Sequence, residues 1–432
     1  MIDHFIHTCE ERGERAAFVD KGRAFSFSQL LSHVYKMASL FKSRGLTEGC
    51  KVLLLVPPSY EFYALMFASI YYGINVVVMD SYKDISRIRR VMEENDIRFV
   101  FCNRLTGLLR FGGLGGAKFI NISDYEKYPR EAPSPSTDKT RTVLTTFTSG
   151  TTGSPKPIER SAEDLEKQIR TVSESVDTGE CEAMYAGLPI YALFGVYSGL
   201  TCVISKKIRE RELVRQGAHT VLAPIARLLA LREPMPSVKR LYLGGARLYE
   251  REALRLLELF PSAHITYVYG SSECVLMAKG ELRYYLENSF ALDGMIEGVE
   301  LSIDEKDARG VGRITARGDV VLTESRRVTG GDLGYIDGLG LHIVGRGKYS
   351  REGEYNYVTD DRLLRENPRV SRGFSFVHEG KTYFCYQGRL SQREDGIIYK
   401  KFRRLPMDPK HRTKLNYSAA IARIDGRKKK SK

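Results

Sequence analysis

Residues 148–156 read Thr-Ser-Gly-Thr-Thr-Gly-Ser-Pro-Lys, a run in which every position except Pro155 is a hydroxyl residue, a glycine or a lysine. Gly150 and Gly153 permit a tight loop whose successive N–H groups can converge on phosphate oxygens. Thr148, Ser149, Thr151, Thr152 and Ser154 offer hydroxyl donors, and Lys156 supplies positive charge. The run directly follows TVLTTF, a strand-like stretch, so it reads as a phosphate cradle rather than an ordinary polar turn. Its glycine and lysine spacing differs from GxxxxGK[ST], so a Walker loop is not implied. The Gly-rich stretch FGGLGGAK at 111–118 fits neither that pattern nor GxGxxG and reads as a connection. In LYLGGARL, Gly244 and Gly245 allow backbone to approach a planar ligand.

A cradle of this kind needs a rigid frame. Ser26 and Gln29 can form a capping box, Leu30, Leu31, Val34, Ala38 and Phe41 recur at helical spacing, and Gly45 can close the helix. KVLLLV at 51–56 is a continuous apolar strand ended by Pro57 and Pro58. An apolar helix over about 59–72 follows, then a second strand, NVVVM, at 75–79. The same strand and helix alternation returns through 85–95 and RFVF at 98–101, and later through TVLAP, RLYLG and ITYVYG. It predicts parallel strands buried on both faces. Beyond about Asp332 the strands are expected to shorten as charge rises, and GRGKYSREGEY at 345–355 reads as a hinge-like connection. Two domains are therefore expected, 1–347 and 348–432.

Composition narrows the class. The 432 residues are 42% hydrophobic and 28% charged, which suits a globular chain and excludes collagen-like, coiled-coil and disordered classes. Lys and Arg number 67 against 53 Asp and Glu, a formal net charge of +14. That excess suits acidic partners such as nucleotides, coenzyme A, an acyl carrier protein or an anionic lipid surface. No nucleic-acid-binding motif accompanies it, and the terminal RIDGRKKKSK reads as a solvated tail. Cys9, Cys50, Cys102, Cys181, Cys202, Cys274 and Cys385 are scattered and never spaced CxxC, which argues against disulfides and zinc. His4 and His7 read as a surface pair, so no metal-binding histidines are expected. No apolar run reaches the roughly 18 residues of a membrane span, and the first residues lack a signal-peptide order. The expected location is the cytoplasm, with at most weak contact to a membrane surface.

Taken in order, TSGTTGSPK, KVLLLVPPSYEFYALMFASIYYG, LYLGGARL, YGSSE, GGDLGYID and GRGK resemble the acyl-adenylate-forming superfamily of acyl-CoA synthetases, adenylation domains and luciferases. The resemblance spans nearly the whole chain and rests on a highly specific loop. It implies an α/β fold: a large N-terminal domain of layered, mostly parallel sheets with helices, and a small mobile α+β C-terminal domain.

The resemblance also assigns residues. Thr148, Ser149, Gly150, Thr151, Thr152, Gly153 and Lys156 would hold ATP phosphates, with Thr152 close to the chemistry. Gly245 and Ala246 would line the adenine pocket, and Tyr269, beside Gly270, would stack on the base. Ser272 matches the family's hydroxyl, and Glu273 the acid that holds Mg²⁺ against the phosphates. Asp332 would accept both ribose hydroxyls, Arg346 would contact the ribose, and Lys348 takes the hinge position. Lys414 would be the lysine of a mobile loop that neutralises charge in the transition state.

Three features depart from the family pattern. Tyr267 stands where an Asn or Asp usually recognises the adenine amino group, and two glycines rather than one precede Asp332. His411, Arg412 and Thr413 before Lys414 replace the usual Ser-Gly and resemble the P-x-D-x-x-H-x-x-K form of olefin-pathway β-lactone synthetases and their fatty-acid ligase relatives. LPIYALFGVYSGL at 188–200 carries Ala192 where His is frequent; with Phe194 and Tyr197 it reads either as an apolar acyl pocket or as plain core.

The expected activity is ATP-dependent, Mg²⁺-dependent activation of a fatty or 3-hydroxy fatty acid to an acyl-adenylate. Transfer to the thiol of coenzyme A or of a phosphopantetheine carrier protein would follow. The alternatives are β-lactone formation from a 3-hydroxy acid, and a non-catalytic relative that binds nucleotide.

Overall fold

The computed structural model describes residues 1–79, 84–112, 114, 116–131, 133–147, 156–407 and 415–426. They fall into two compact units, residues 1–223 with 237–240, and 224–236 with 241–432.

The first unit is built on two-sided burial. Ser26 and Gln29 form the expected capping box of the helix Phe27–Ser43, each side chain bonding the other residue's backbone N–H. The strand Lys51–Leu55 precedes a helix, Tyr60–Tyr72, that is apolar almost all round and whose first turn is capped by the Ser59 hydroxyl. A helix of that composition must be covered on every side, and nearly all its residues are buried. One sheet runs in the order Lys118–Asn121, Phe99–Cys102, Lys51–Leu55, Asn75–Val78, Thr142–Phe147, Pro157–Ser161. Its first five strands are parallel and the last is antiparallel. A second parallel set aligns Thr220–Pro224, Ala183–Ala186, Thr201–Val203 and Ala16–Asp20, with Arg23–Ser26 antiparallel at the end. The alternating apolar runs therefore became the parallel layers they predict.

The second unit contains the strand Arg240–Gly244 from its second residue on, the strands His264–Tyr269, Ala278–Glu281 and Gly294–Met295, then a five-stranded sheet in the order Ala291–Leu292, Gly340–Arg346, Arg327–Asp337, Gly312–Arg317, Glu300–Asp304. Every neighbouring pair of that sheet is antiparallel. A smaller α+β portion closes the chain: Val370–His378, Lys381–Gly388 and Ile397–Lys401 form a three-stranded sheet, accompanied by the helices Asn356–Glu366 and Tyr417–Ile424. Leu363, Val370, Phe376, Phe384, Leu415 and Ala420 share its core.

The expectation of shorter strands after Asp332 is wrong. Arg327–Asp337 has 11 residues, Val370–His378 has 9 and Lys381–Gly388 has 8. Antiparallel strands can keep one face in water, so exposed charges such as Arg327, Arg372 and Lys381 are carried without interrupting the strands.

Candidate active site

The strands on either side of the predicted cradle form a hairpin pair. Thr142–Phe147 and Pro157–Ser161 pair antiparallel, with Phe147 opposite Pro157. Thr148, Ser149, Gly150, Thr151, Thr152 and Gly153 lie outside the described residues; Lys156 is exposed immediately before the second strand. Behind it, buried Arg160 donates to Gln168 Oε1 at 3.0 Å and to Thr146 Oγ1 at 2.8 Å, tying both strands and the helix Ala162–Ser175 together. Its guanidinium is therefore structural, and Lys156 is the cation that faces water.

The second unit brings together most of the predicted nucleotide residues. Asp332 pairs directly with Arg346 across two antiparallel strands, so a carboxylate and a guanidinium from opposite strands share one face. Arg346 Nε donates to Asp332 Oδ1 at 3.0 Å, and Tyr269 Oη donates to Oδ2 at 3.2 Å. Tyr357 Oη approaches Oδ1 at 3.5 Å. The Asp332 side chain keeps 18% of its surface exposed and Arg346 keeps 25%, so the pair is held by protein yet open to a ligand. The Asp332 charge raises the Arg346 pKa further, and burial followed by the same charge pushes the Tyr269 phenol well above its ordinary value. Both donors stay protonated at any physiological pH.

Arg346 is fixed from behind by Asn356. This buried amide accepts from Arg346 N at 2.8 Å and from the Ser350 hydroxyl at 2.9 Å, and it donates to Tyr417 Oη at 3.0 Å. A Cβ on Gly345 would fall 2.5 Å from Ser350 Oγ and 3.0 Å from Asn356 Oδ1, so only glycine fits beside this buttress. Lys348 lies in the short turn Gly347–Tyr349 that follows.

The segment proposed for adenine is equally tight. A Cβ on Gly244 would lie 2.6 Å from Val268 O, and Gly245 has φ +87°, a left-handed conformation that disfavours side chains. Tyr267 donates its hydroxyl to the Ala246 carbonyl at 3.0 Å, and burial raises its phenol pKa to about 12. The departure at Tyr267 is thus absorbed by a bond inside the protein. After Tyr269 the chain turns sharply, because a Cβ on Gly270 would meet Val275 O at 2.0 Å. Ser271 shapes this turn: its N donates to Cys274 O at 2.7 Å and its Oγ accepts from Glu273 N at 3.2 Å and Cys274 N at 3.1 Å. Glu273 O in turn accepts from Leu322 N at 3.0 Å, which fixes the backbone of the half-buried carboxylate. Ser272, also half-buried, lies within the turn.

Besides Asn356, three participants carry no signal in the sequence. Ser271 builds the turn that carries Glu273, Tyr357 reaches Asp332, and Arg247, next to Ala246, forms a buried ion pair with Asp361 at 2.9 Å. Of the other predicted residues, Ala192 and Phe194 are buried in the helix Pro189–Tyr197 of the first unit, where a Cβ on Gly195 would meet Cys202 Sγ at 2.3 Å. Tyr197 packs its ring on His4 with centroids 4.1 Å apart and directs its hydroxyl to Glu166 Oε1 at 3.4 Å. Lys414 lies outside the described residues. Among the described residues no group of three or more His, Cys, Asp or Glu side chains gathers as a metal cluster.

A family model described as AMP-binding enzyme matches residues 5–323. The chain belongs to this family. It is an enzyme of the adenylate-forming acid–CoA ligase kind that its motifs resemble. Among the relatives of this AMP-binding enzyme, the malonate–CoA ligase of Arabidopsis thaliana is 21% identical, the match covering 77% of this chain and 67% of the relative. The olefin beta-lactone synthetase of Stenotrophomonas maltophilia is 24% identical, covering 85% and 72%. In fold, the AMP-binding enzyme matches o-succinylbenzoate CoA synthetase (MenE) of Bacillus subtilis in complex with its acyl-adenylate intermediate, at TM-score 0.84 and 16% identity over 96% of this chain and 97% of that one. The same MenE in complex with ATP and a magnesium ion matches at TM-score 0.82, 16% identity, over 96% and 98%. No helix among the described residues is long and apolar enough to cross a membrane.

Proposed function

We propose that this AMP-binding enzyme uses ATP to convert a fatty or 3-hydroxy fatty acid to its acyl-adenylate and then passes the acyl group to a thiol. The observation that carries the nucleotide half of this reading is the Asp332 carboxylate, held by Arg346 and Tyr269 while part of its surface stays open. A carboxylate so placed can accept the two hydroxyls of a ribose. Gly245 and Ala246 line the base, the 148–156 run with Lys156 receives the phosphates, and Glu273 stands on a rigid turn. A carboxylate suits Mg²⁺, which keeps waters and shares phosphate oxygens. When bound, that ion would supply charge neutralisation on the phosphates, with Glu273 as its protein ligand.

In the first step a carboxylate oxygen of the acid bonds to the α-phosphorus and the bond to pyrophosphate breaks, leaving a mixed anhydride with AMP. The work of the protein is positioning and electrostatic compensation. Lys414 provides a point cation where negative charge gathers, and Thr152 donates from the cradle. In the second step a thiol sulfur of coenzyme A or of a carrier-protein phosphopantetheine bonds to the acyl carbon and AMP leaves. Residues 348–432 act as a cap that turns about Lys348 between the two steps. The apolar acid rests on the apolar composition of 188–200, with Ala192 where His is frequent and Phe194 and Tyr197 beside it, and a cytoplasmic location suits both ATP and the thiol.

A second reading has its own support. The His411 to Lys414 pattern and the likeness to an olefin beta-lactone synthetase favour attack of the substrate's own β-hydroxyl on the adenylate, without a thiol. One experiment separates them: pyrophosphate release over a panel of acids, with product analysis of a 3-hydroxy acid with and without coenzyme A. Medium or long aliphatic acids should exceed acetate and amino acids. A thioester formed only with thiol supports ligation, and a β-lactone formed without it supports the second reading. Acetate or an amino acid as best substrate by tenfold or more would remove the apolar-acid reading.

A further inference from the structure

An ionised carboxylate offers about four lone-pair positions. At Asp332 three are faced by protein donors: Arg346 Nε at 3.0 Å and Tyr357 Oη at 3.5 Å on Oδ1, and Tyr269 Oη at 3.2 Å on Oδ2. A ribose that presents both hydroxyls needs two positions, so one of the three donors has to withdraw. Arg346 makes a charge-assisted bond and is buttressed by Asn356. Tyr269 ends a strand whose other residues are mostly buried. Tyr357 makes the longest of the three contacts, shares its hydroxyl with the Arg346 guanidinium, and comes from the first turn of the helix Asn356–Glu366 rather than from the strands that carry Asp332 and Arg346. Its ring already lies within 5.8 Å of the Arg247 guanidinium, so the side chain has a second attractive surface when it leaves the carboxylate.

We infer that Tyr357 competes with the ribose hydroxyls of the nucleotide for Asp332, so that a nucleotide with an intact ribose displaces this tyrosine and loosens the first turn of its helix. The inference rests on Asp332 being the ribose acid. It makes Tyr357 a residue that lowers the preference for an intact ribose, weakening ATP binding by occupying the acceptor the ribose requires.

The test uses the full chain, with dissociation constants by calorimetry for ATP and for 2′,3′-dideoxy-ATP, in wild type and in Tyr357→Phe. Wild type should bind ATP at least tenfold more tightly than the dideoxy nucleotide. Tyr357→Phe should tighten ATP about threefold, the scale of one long hydrogen bond, and leave the dideoxy nucleotide unchanged. Equal shifts for both nucleotides, or weaker ATP binding, would overturn the competition while leaving the ribose acid in place. If wild type does not separate the two nucleotides, Asp332 is not the ribose acid, and both readings fall. Amide exchange gives an independent readout in wild type: ATP should accelerate exchange in the first turn of Asn356–Glu366 and dideoxy-ATP should not. Identical exchange with both would also overturn the inference.

Discussion

Asp332 and Asp361 each meet an arginine, at 3.0 and 2.9 Å, and each has tyrosine nearby, yet they are built for different ends. Around Asp332 the side chain is 18% exposed, and its donors leave one acceptor position spare. Around Asp361 both partners of the ion pair are only 6% exposed, and the second carboxylate oxygen accepts from Glu250 N at 3.0 Å. Arg247 also donates to Tyr285 Oη at 2.6 Å. The adjacent Asp360 is fully buried and accepts from Tyr249 Oη at 2.8 Å and from Ser375 N. Together these bonds form a polar seam that holds the helix Asn356–Glu366 against residues 247–250. Residue type and charge pairing therefore do not mark a site. Spare acceptor positions and access to water do.

The seam should break hardest at its centre. Asp361→Ala leaves the Arg247 guanidinium buried without its counter-ion, and the expected loss of stability is about 3 to 5 kcal/mol, read as a fall in the urea midpoint. A change below about 1 kcal/mol would mean that water enters the seam and that burial was misjudged.

Next in size is a pH effect at Asp360. Burial, opposed by its hydrogen bonds, raises this carboxyl from its ordinary value to about 8. Its folded pKa thus lies above its unfolded one, so the folded chain binds the extra proton between about pH 4 and 8. The contribution to stability is fully present below about pH 4 and is lost as pH rises through 8, at up to about 1.4 kcal/mol per pH unit. Asp360→Asn removes that slope, so the stability difference between variant and wild type should move in favour of the variant from pH 5 to 8.5. A constant difference would show that Asp360 is ionised throughout.

The open carboxylate should respond in the opposite way. Asp332→Asn is expected to weaken ATP binding by about ten- to a hundredfold, because charged acceptors strengthen hydrogen bonds to hydroxyls, with stability changed by less than about 1 kcal/mol. Calorimetry and a denaturation curve on the same sample check both halves. If stability falls while affinity holds, Asp332 belongs with the seam and the contrast is lost.

The sequence shows one of these regions far better than the other. Parallel strands buried on both faces appear as unbroken apolar runs, so KVLLLV, NVVVM and TVLAP are legible without partners. Asp332, Arg346 and Glu273 are legible because they sit inside contiguous motifs. The seam is not, since Arg247 and Asp361 are 114 positions apart and each looks like a surface charge on its own. Asn356 and Ser271 are hidden for the same reason: a single polar residue declares its role only when its backbone partners are known. Tyr357 lies outside the motifs that resemble the family, so nothing in the sequence marks it. The long strands after Asp332 were obscured by charges that merely face water.

At the rim of the seam Arg365 Nη2 meets Glu250 Oε2 at 2.7 Å, a shorter distance than the buried pair, but its side chain is 65% exposed and that of Glu250 is 35% exposed. Distance alone would rank this contact above Arg247 and Asp361. Solvent reverses the ranking, since water screens the attraction and the arginine loses rotamer freedom to hold one geometry. Arg365→Ala should therefore change stability by less than about 1 kcal/mol at low salt, and that small effect should fade in 0.5 M salt, where the screening length falls to about 4 Å. Urea midpoints at two salt concentrations measure it. A loss above about 2 kcal/mol that persists at high salt would place Arg365 inside the buried seam and erase the distinction between its centre and its rim.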